Sequence, residues 1–276
     1  MAAHGTTEDR HERIHLLWDR LADFDASQSD AALMYLLGSL CDIVDAQDAY
    51  WLGGVRMSAS APDDPVLGWR PRAVRYLHST AANETTYKTA SRQLERGVID
   101  PCIVAQVRRA GRFRAHLLRD LVAPDYFATP FYRDLYSTRQ IVDTAFVVFP
   151  LNADAECYFA FHRKAGYPPF DRGDCDALAY GVRGIKWFHR QVMLNHGLLV
   201  AHAPLTPAER KVLQLLLTGA SEKKVAADLG NTYTTAHRYV TEIFRKFGVR
   251  SRAELTALWL GRTPNATQSS NNDDTS

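Results

Sequence analysis

Four helix starts and three glycine stops alternate between Leu205 and Leu260, and this punctuation leaves that end of the chain little choice of fold. Thr206-Pro207-Ala208-Glu209 opens the first helix. Thr206 suits the cap, Pro207 the first helical position, and Glu209 closes a capping box. Val212, Leu213, Leu216 and Leu217 form its apolar face, and Gly219 ends it. Ser221 starts a second helix, with Val225, Ala226 and Leu229 inward and Gly230 as its stop. Thr232 starts a third, which runs to Phe247 and stops at Gly248. Ser251-Arg252-Ala253-Glu254 is another capping box and opens a fourth helix through Leu260. Two short helices joined by a tight glycine-containing turn make a helix-turn-helix, and small Ala226 and Ala227 let them approach closely.

The charge sits in the same place. The chain has 276 residues, room for two domains at about 150 residues each. Its net charge is +2, yet ten Lys or Arg face five acids between Pro204 and Arg262. That stretch carries +5 and the first 203 residues carry −1. A basic module on a near-neutral protein fits nucleic-acid binding, and a solvated helical face would give the same count. With 46% hydrophobic residues the chain can bury a core without metals or disulfides. Apolar runs fall well short of the about 18–20 residues of a membrane span. The polar N-terminus does not read as a signal peptide. Cys41, Cys102, Cys157 and Cys175 lie far apart without a CxxC pair, which predicts reduced thiols in a cytoplasmic protein and no metal or other cofactor.

Residues 205–255 resemble the helix-turn-helix domain of the LuxR/NarL family of bacterial transcription regulators. The resemblance rests on LTPAER, on the G-x-S-x-K-x-x-A-x-x-L-G run from Gly219 to Gly230, and on IFRKFGVRSRAEL, in one register without a gap. It implies that the third helix enters the major groove of double-stranded DNA, with His237, Arg238 and Thr241 at base-facing positions. Lys223, Thr235, Arg245 and Lys246 would hold phosphates. The fourth helix would carry a homodimer contact through Leu255, Leu258 and Trp259. Asn231, Ala236, His237 and Tyr239 depart from the residues usual in the family, which bears on base preference more than on fold. RNA polymerase is a further candidate partner.

Residues 1–200 mix both periodicities. Glu8–Phe24 and Ser29–Val44 read as amphipathic helices, Ala49–Met57 and Ala73–Ser79 as strands around a loop, and Glu84–Arg96 and Asp100–Ala110 as helices. A strand at Phe113–Leu118 and a short helix at Thr129–Ser137 follow. Ile141–Leu151 and Glu156–Arg163 read as a hairpin, and Asp171–Leu199 as one long closing helix. The fold class is therefore an α+β N-terminal domain, an antiparallel sheet flanked by helices, plus an all-α four-helix domain at 204–262. A hinge is expected near His202–Pro204 and a disordered tail at 263–276. The order of elements resembles GAF/PAS-like sensory domains, a likeness of fold alone. It lacks the βα repeat of phosphoacceptor receivers and the Trp/Tyr/Asp pattern of acyl-homoserine-lactone-binding domains. Trp51, Tyr76, Phe146 and Tyr158 are candidates to line a small-molecule pocket, with plain core packing as the alternative.

GxSxG, Walker A, HExxH and Rossmann fingerprints are missing, and His189 and His196 on the closing helix read as satisfied histidines, so no catalytic residue is expected. The reading is a DNA-binding regulator under a signal at its N-terminal domain. The alternative is an assembly module whose helix-turn-helix does not read sequence.

Overall fold

Strands β4 (Ile141–Asn152) and β5 (Ala155–Lys164) are rich in Val, Phe and Tyr and pair as a hairpin across Ala153–Asp154. The computed structural model describes residues 6–57, 63–199 and 204–261. In it β1 (Asp48–Arg56) joins β5, β2 (Trp69–Tyr76) joins β1, and β3 (Arg114–Leu117) joins β4. The sheet order is β2-β1-β5-β4-β3, antiparallel throughout.

Helices α1 (Thr7–Ala22), α2 (Ser29–Val44) and α7 (Arg172–Arg183) pack together, and α2 and α7 also meet the sheet. Ile14, Leu17, Leu21, Leu33, Leu36, Leu40 and Leu178 are buried there at the helical spacing read from the sequence. Asp174 of α7 takes Arg10 of α1 at 2.8 Å and Arg163 of β5 at 3.1 Å, and Arg163 also donates to the Val44 carbonyl that ends α2. These bonds tie three helices to the sheet at one buried carboxylate. On the other side lie α3 (Ala81–Glu95), α4 (Pro101–Val107), α5 (Leu118–Leu121) and α6 (Pro130–Leu135), with 3₁₀ turns at Pro124–Ala128 and Ser137–Arg139. The α+β plan expected from the sequence is the one observed.

Two elements differ from expectation. The closing helix is two helices, α7 and α8 (Lys186–Asn195), broken at Gly184–Ile185. Trp18 lies so close to Gly184 that a Cβ there would meet its ring at 2.6 Å. The indole Nε1 donates to the Gly181 carbonyl and His189 Nε2 to the Val182 carbonyl, both at the end of α7 where intrahelical partners run out. Strand β2 begins at Trp69, earlier than expected. Pro71 disfavours a strand in sequence, but β2 is an edge strand and the register shifts between Gly53 and Gly54 opposite it.

By compactness the chain divides at Met193–Leu194. In the second unit α9 (Pro207–Leu217), α10 (Glu222–Asp228), α11 (Tyr233–Phe247) and α12 (Arg252–Trp259) follow the punctuation of the sequence. Thr206, Ser221, Thr232 and Ser251 each accept the N–H three residues on. Gly248 adopts φ 63°, the left-handed turn that ends α11 at low cost. The core joins Val212, Leu213, Leu216, Val225, Val240 and Phe247. Among the described residues no helix is long and apolar enough to cross a membrane, and no group of His, Cys, Asp or Glu could hold a metal. The tail read at 263–276 and the hinge positions His202 and Ala203 lie outside the described residues.

Candidate nucleic-acid interface and ligand cavity

Helix α11 separates two faces. Ala236, Val240, Ile243 and Phe247 recur at intervals of four and three and are buried. His237, Arg238, Thr241 and Arg245 fall on the other side and are exposed. The third helix therefore presents a polar ridge held by a fixed apolar seam. His237 Nδ1 lies 2.9 Å from Glu222 Oε2 on α10, and its ring stacks on Tyr233 at 6.1 Å. The Arg238 guanidinium lies 5.6 Å over the Tyr239 ring and has no acidic partner among the described residues.

The expected phosphate holders separate. Lys223 is exposed. Thr235 is half-buried, its hydroxyl 2.9 Å from that of Thr232 in the α11 cap. Arg245 is exposed but pairs with Glu242, Nε to Oε2 at 2.9 Å, and each raises the other's preference for its charged form. Lys246 is a correction. Its ammonium is buried, 2.7 Å from Glu209 Oε2 and 3.1 Å from the Pro204 carbonyl. Glu209 also accepts from Thr206 N, so this residue of the capping box is shared between a helix start and a buried cation. A lysine so placed holds the fold and does not reach a phosphate. Its position three residues after Ile243 lies beside the buried seam, a signal the sequence carried.

The dimer expectation is also corrected in part. Leu255 and Leu258 are 1% and 0% exposed and belong to the unit's own core. Trp259 is half-buried against Phe247, ring centroids 5.7 Å apart. Leu260, just past the helix, is 77% exposed.

In the N-terminal unit a cavity of about 190 Å³ lies between the sheet and α3 and α4. Of the four pocket candidates, Tyr76, Phe146 and Tyr158 line it. Trp51 does not. Side chains alternate along β1, so Tyr50, Leu52 and Gly54 face the cavity while Trp51 is fully buried on the opposite side, bonded to Cys157. Gly54 makes room, since a Cβ there would lie 2.9 Å from the Tyr158 ring.

The polar groups around the cavity are mostly committed. Tyr158 donates to Glu156 at 2.6 Å, and Glu156 forms a buried two-point pair with Arg114. Asp100 accepts from Cys102 N and from the Tyr126 hydroxyl, while burial raises its pKa. Burial pushes the Cys102 thiol up as well, so it is a poor nucleophile. His162, missed in the sequence, also lines the cavity. Burial and the nearby Arg139 hold its pKa down at about 3, so it is neutral. Its signal was the inward register of an even-numbered β5 position, shared with Tyr158. His189 lies elsewhere, among Phe149 and Phe159, and burial lowers it to about 4.

Residues 203–259 match the GerE model of bacterial regulatory proteins, luxR family. A probable HTH-type transcriptional regulator, GfsR of Streptomyces halstedii, is 35% identical over 57 residues, which is 21% of this chain and 24% of that protein. The match thus spans about a quarter of the curated relative. Among solved structures, SdiA in complex with octanoyl-rac-glycerol is 14% identical over 94% of this chain and 97% of that one, at TM-score 0.43. The VqsR LBD domain from Pseudomonas aeruginosa is 13% identical over 67% and 96%, at TM-score 0.45. The C-terminal unit thus carries a luxR-family helix-turn-helix domain.

Proposed function

We propose that the chain is a transcription regulator of the cytoplasm, which binds double-stranded DNA as a homodimer and answers to a small molecule held in its N-terminal unit. The observation that carries this reading is the polar ridge of α11, with Arg238 free of acidic partners on the third helix of a luxR-family domain. His237, Arg238 and Thr241 read bases, and Arg238 is suited to guanine O6/N7. Lys223, Thr235 and Arg245 meet phosphates, Arg245 by exchanging Glu242 for a phosphate oxygen. On and beyond α12, Trp259 and Leu260 remain for contact between copies. The N-terminal unit acts as a GAF/PAS-like sensor through its cavity, and RNA polymerase is the downstream partner. Catalysis has no part in this reading.

The test is selection of sheared DNA from the chain's own genome on the full-length protein, followed by titration of the retained sequence. A shared motif with half-sites one helical turn or a multiple apart is expected. Arg238→Ala should cost about 1–3 kcal/mol on that motif and much less on scrambled DNA. Equal losses on both DNAs would reduce Arg238 to a phosphate contact, and retention without any shared motif would favour the assembly module.

A further inference from the structure

Arg139 stands on the wall of the N-terminal cavity. Its Nε donates to the Leu135 carbonyl at 2.9 Å, Nη2 to the same oxygen, and Nη1 to Asn83 Oδ1 at 3.2 Å. Asn83 is buried, and its Nδ2 donates to the His78 carbonyl at 2.8 Å, which turns Oδ1 toward the guanidinium. Neutral oxygens thus hold the cation in place, and among the described residues no carboxylate pairs with it. These bonds leave other N–H groups of the guanidinium fork for a ligand. A cation drawn partly out of water beside neutral acceptors alone keeps its charge uncompensated.

Donors gather beside it. Tyr50 and Tyr76 pair across β1 and β2 on the cavity wall, ring centroids 5.6 Å apart, and the His162 ring lies 5.6 Å from that of Tyr50. Both tyrosines are half-buried, and neither hydroxyl makes a hydrogen bond among the described residues. The Arg139 charge reaches all three side chains. Burial raises the pKa of Tyr50 and Tyr76 and Arg139 opposes the rise, while for His162 it adds to the lowering by burial. One end of the cavity therefore combines a held cation with two phenol donors, a set from which a carboxylate can accept several charge-assisted hydrogen bonds.

The other charges on the wall are accounted for. Arg70 pairs with Asp64 at 3.0 Å. Asp100 accepts from Cys102 N at 2.8 Å and from the Tyr126 hydroxyl at 3.0 Å, and burial raises its pKa, which favours its uncharged form. Arg139 is left as the wall's uncompensated cation. The far end is apolar. Trp69 opens β2 where Tyr76 ends it, and Trp69 clusters with Leu94, Ile103 and Val107. An engineered cavity of ~150 Å³ accepts benzene, and about 190 Å³ leaves room for a short acidic arm on such a ring.

We infer that this cavity binds a small monocarboxylic acid with an apolar tail about the size of one ring, its carboxylate held by Arg139 beside the Tyr50 and Tyr76 hydroxyls. The inference rests on the sensor reading of the N-terminal unit and adds the ligand class to it. A neutral ligand of the same shape fills the apolar end and leaves the guanidinium uncompensated. An added ammonium would be buried against a carboxyl group that favours its uncharged form. Charge at one end and size at the other therefore select the ligand.

The probe is phenylacetate, titrated calorimetrically into the full-length chain at neutral pH, where it is ionised. Its neutral isostere 2-phenylacetamide and the zwitterion phenylalanine are titrated alongside. Saturable binding of the acid is expected, with both comparison compounds weaker by roughly tenfold or more. Arg139→Gln should weaken the acid about tenfold and change the amide by less than about twofold. Arg139→Lys, which keeps the charge, should keep the preference for the acid, and Tyr50→Phe should weaken the acid about fivefold. A merely structural Arg139 would move acid and amide together. Circular dichroism checks that each variant folds. Amide or phenylalanine binding as tightly as the acid, an acid-to-amide ratio unchanged in Arg139→Gln, or no saturable binding would each overturn the ligand class. Retention of DNA by the same preparation is read separately, so loss of the ligand class and loss of the regulator reading give different results.

Discussion

Lys246 donates to Glu209 and to the Pro204 carbonyl from inside the C-terminal core, so Lys246→Ala leaves a buried carboxylate without its cation. The expected cost is about 3–5 kcal/mol of stability in that unit, read by denaturant unfolding. Under folded conditions the salt dependence of DNA binding should not change. A variant of unaltered stability whose salt slope falls would place the ammonium on a phosphate instead. His189 gives a pH signature. Its folded value of about 4 lies below the unfolded value of about 6.5, so the unfolded chain binds the extra proton between them. Stability therefore falls as pH drops through that window. His189→Gln keeps a donor for the Val182 carbonyl and should flatten this fall by about 1 kcal/mol per pH unit. Parallel curves for the two proteins would show that His189 already titrates normally when folded. Arg238 and Lys246 are both cations on α11, and burial separates them: Lys246 lies beside the apolar seam of Ile243 and Phe247, and Arg238 is on the exposed face.

At the scale of elements, caps were the legible part. Thr206, Ser221, Thr232 and Ser251 mark starts in sequence because each side chain answers a local need of three or four residues. Ser29–Val44 was legible to the residue for the related reason that its apolar stripe repeats without interruption. The break between α7 and α8 was not. It depends on Trp18, which is more than 160 residues away in sequence and takes the space beside Gly184. Gly184→Ala should therefore cost about 1–3 kcal/mol through overpacking, visible as a lower thermal midpoint of the N-terminal unit. An unchanged or raised midpoint, as from a simple gain in helix propensity, would mean that Trp18 packs elsewhere. Strand faces gave a mixed result. Alternation alone puts Tyr50 and Trp51 on opposite sides of the sheet but does not say which side has the cavity. Leu258→Ala separates core from interface on α12. It should cost about 2–5 kcal/mol of folding stability, where an interface role would shift the dimer equilibrium and spare the monomer's fold.

For the whole molecule, the division of labour follows the charge. The excess positive charge lies in the helix-turn-helix unit and the aromatic-lined cavity in the other. Composition, capping and charge change together near residue 204, whereas by compactness the chain divides at Met193–Leu194. The cavity was legible as a set of aromatics and not as a site, since its walls come from strands and helices distant in sequence. The central claim is that the basic face of the C-terminal unit tracks a DNA backbone. With Lys246 buried, Lys223 and Arg245 are the cations that remain among the phosphate holders, so each copy would neutralise about two phosphates and two copies about four. The decisive measurement is the affinity of the full-length chain for its selected DNA over a series of salt concentrations. Log K is expected to fall against log[salt] with a slope near −4, and a slope shallower than about −2 would contradict contact with the backbone.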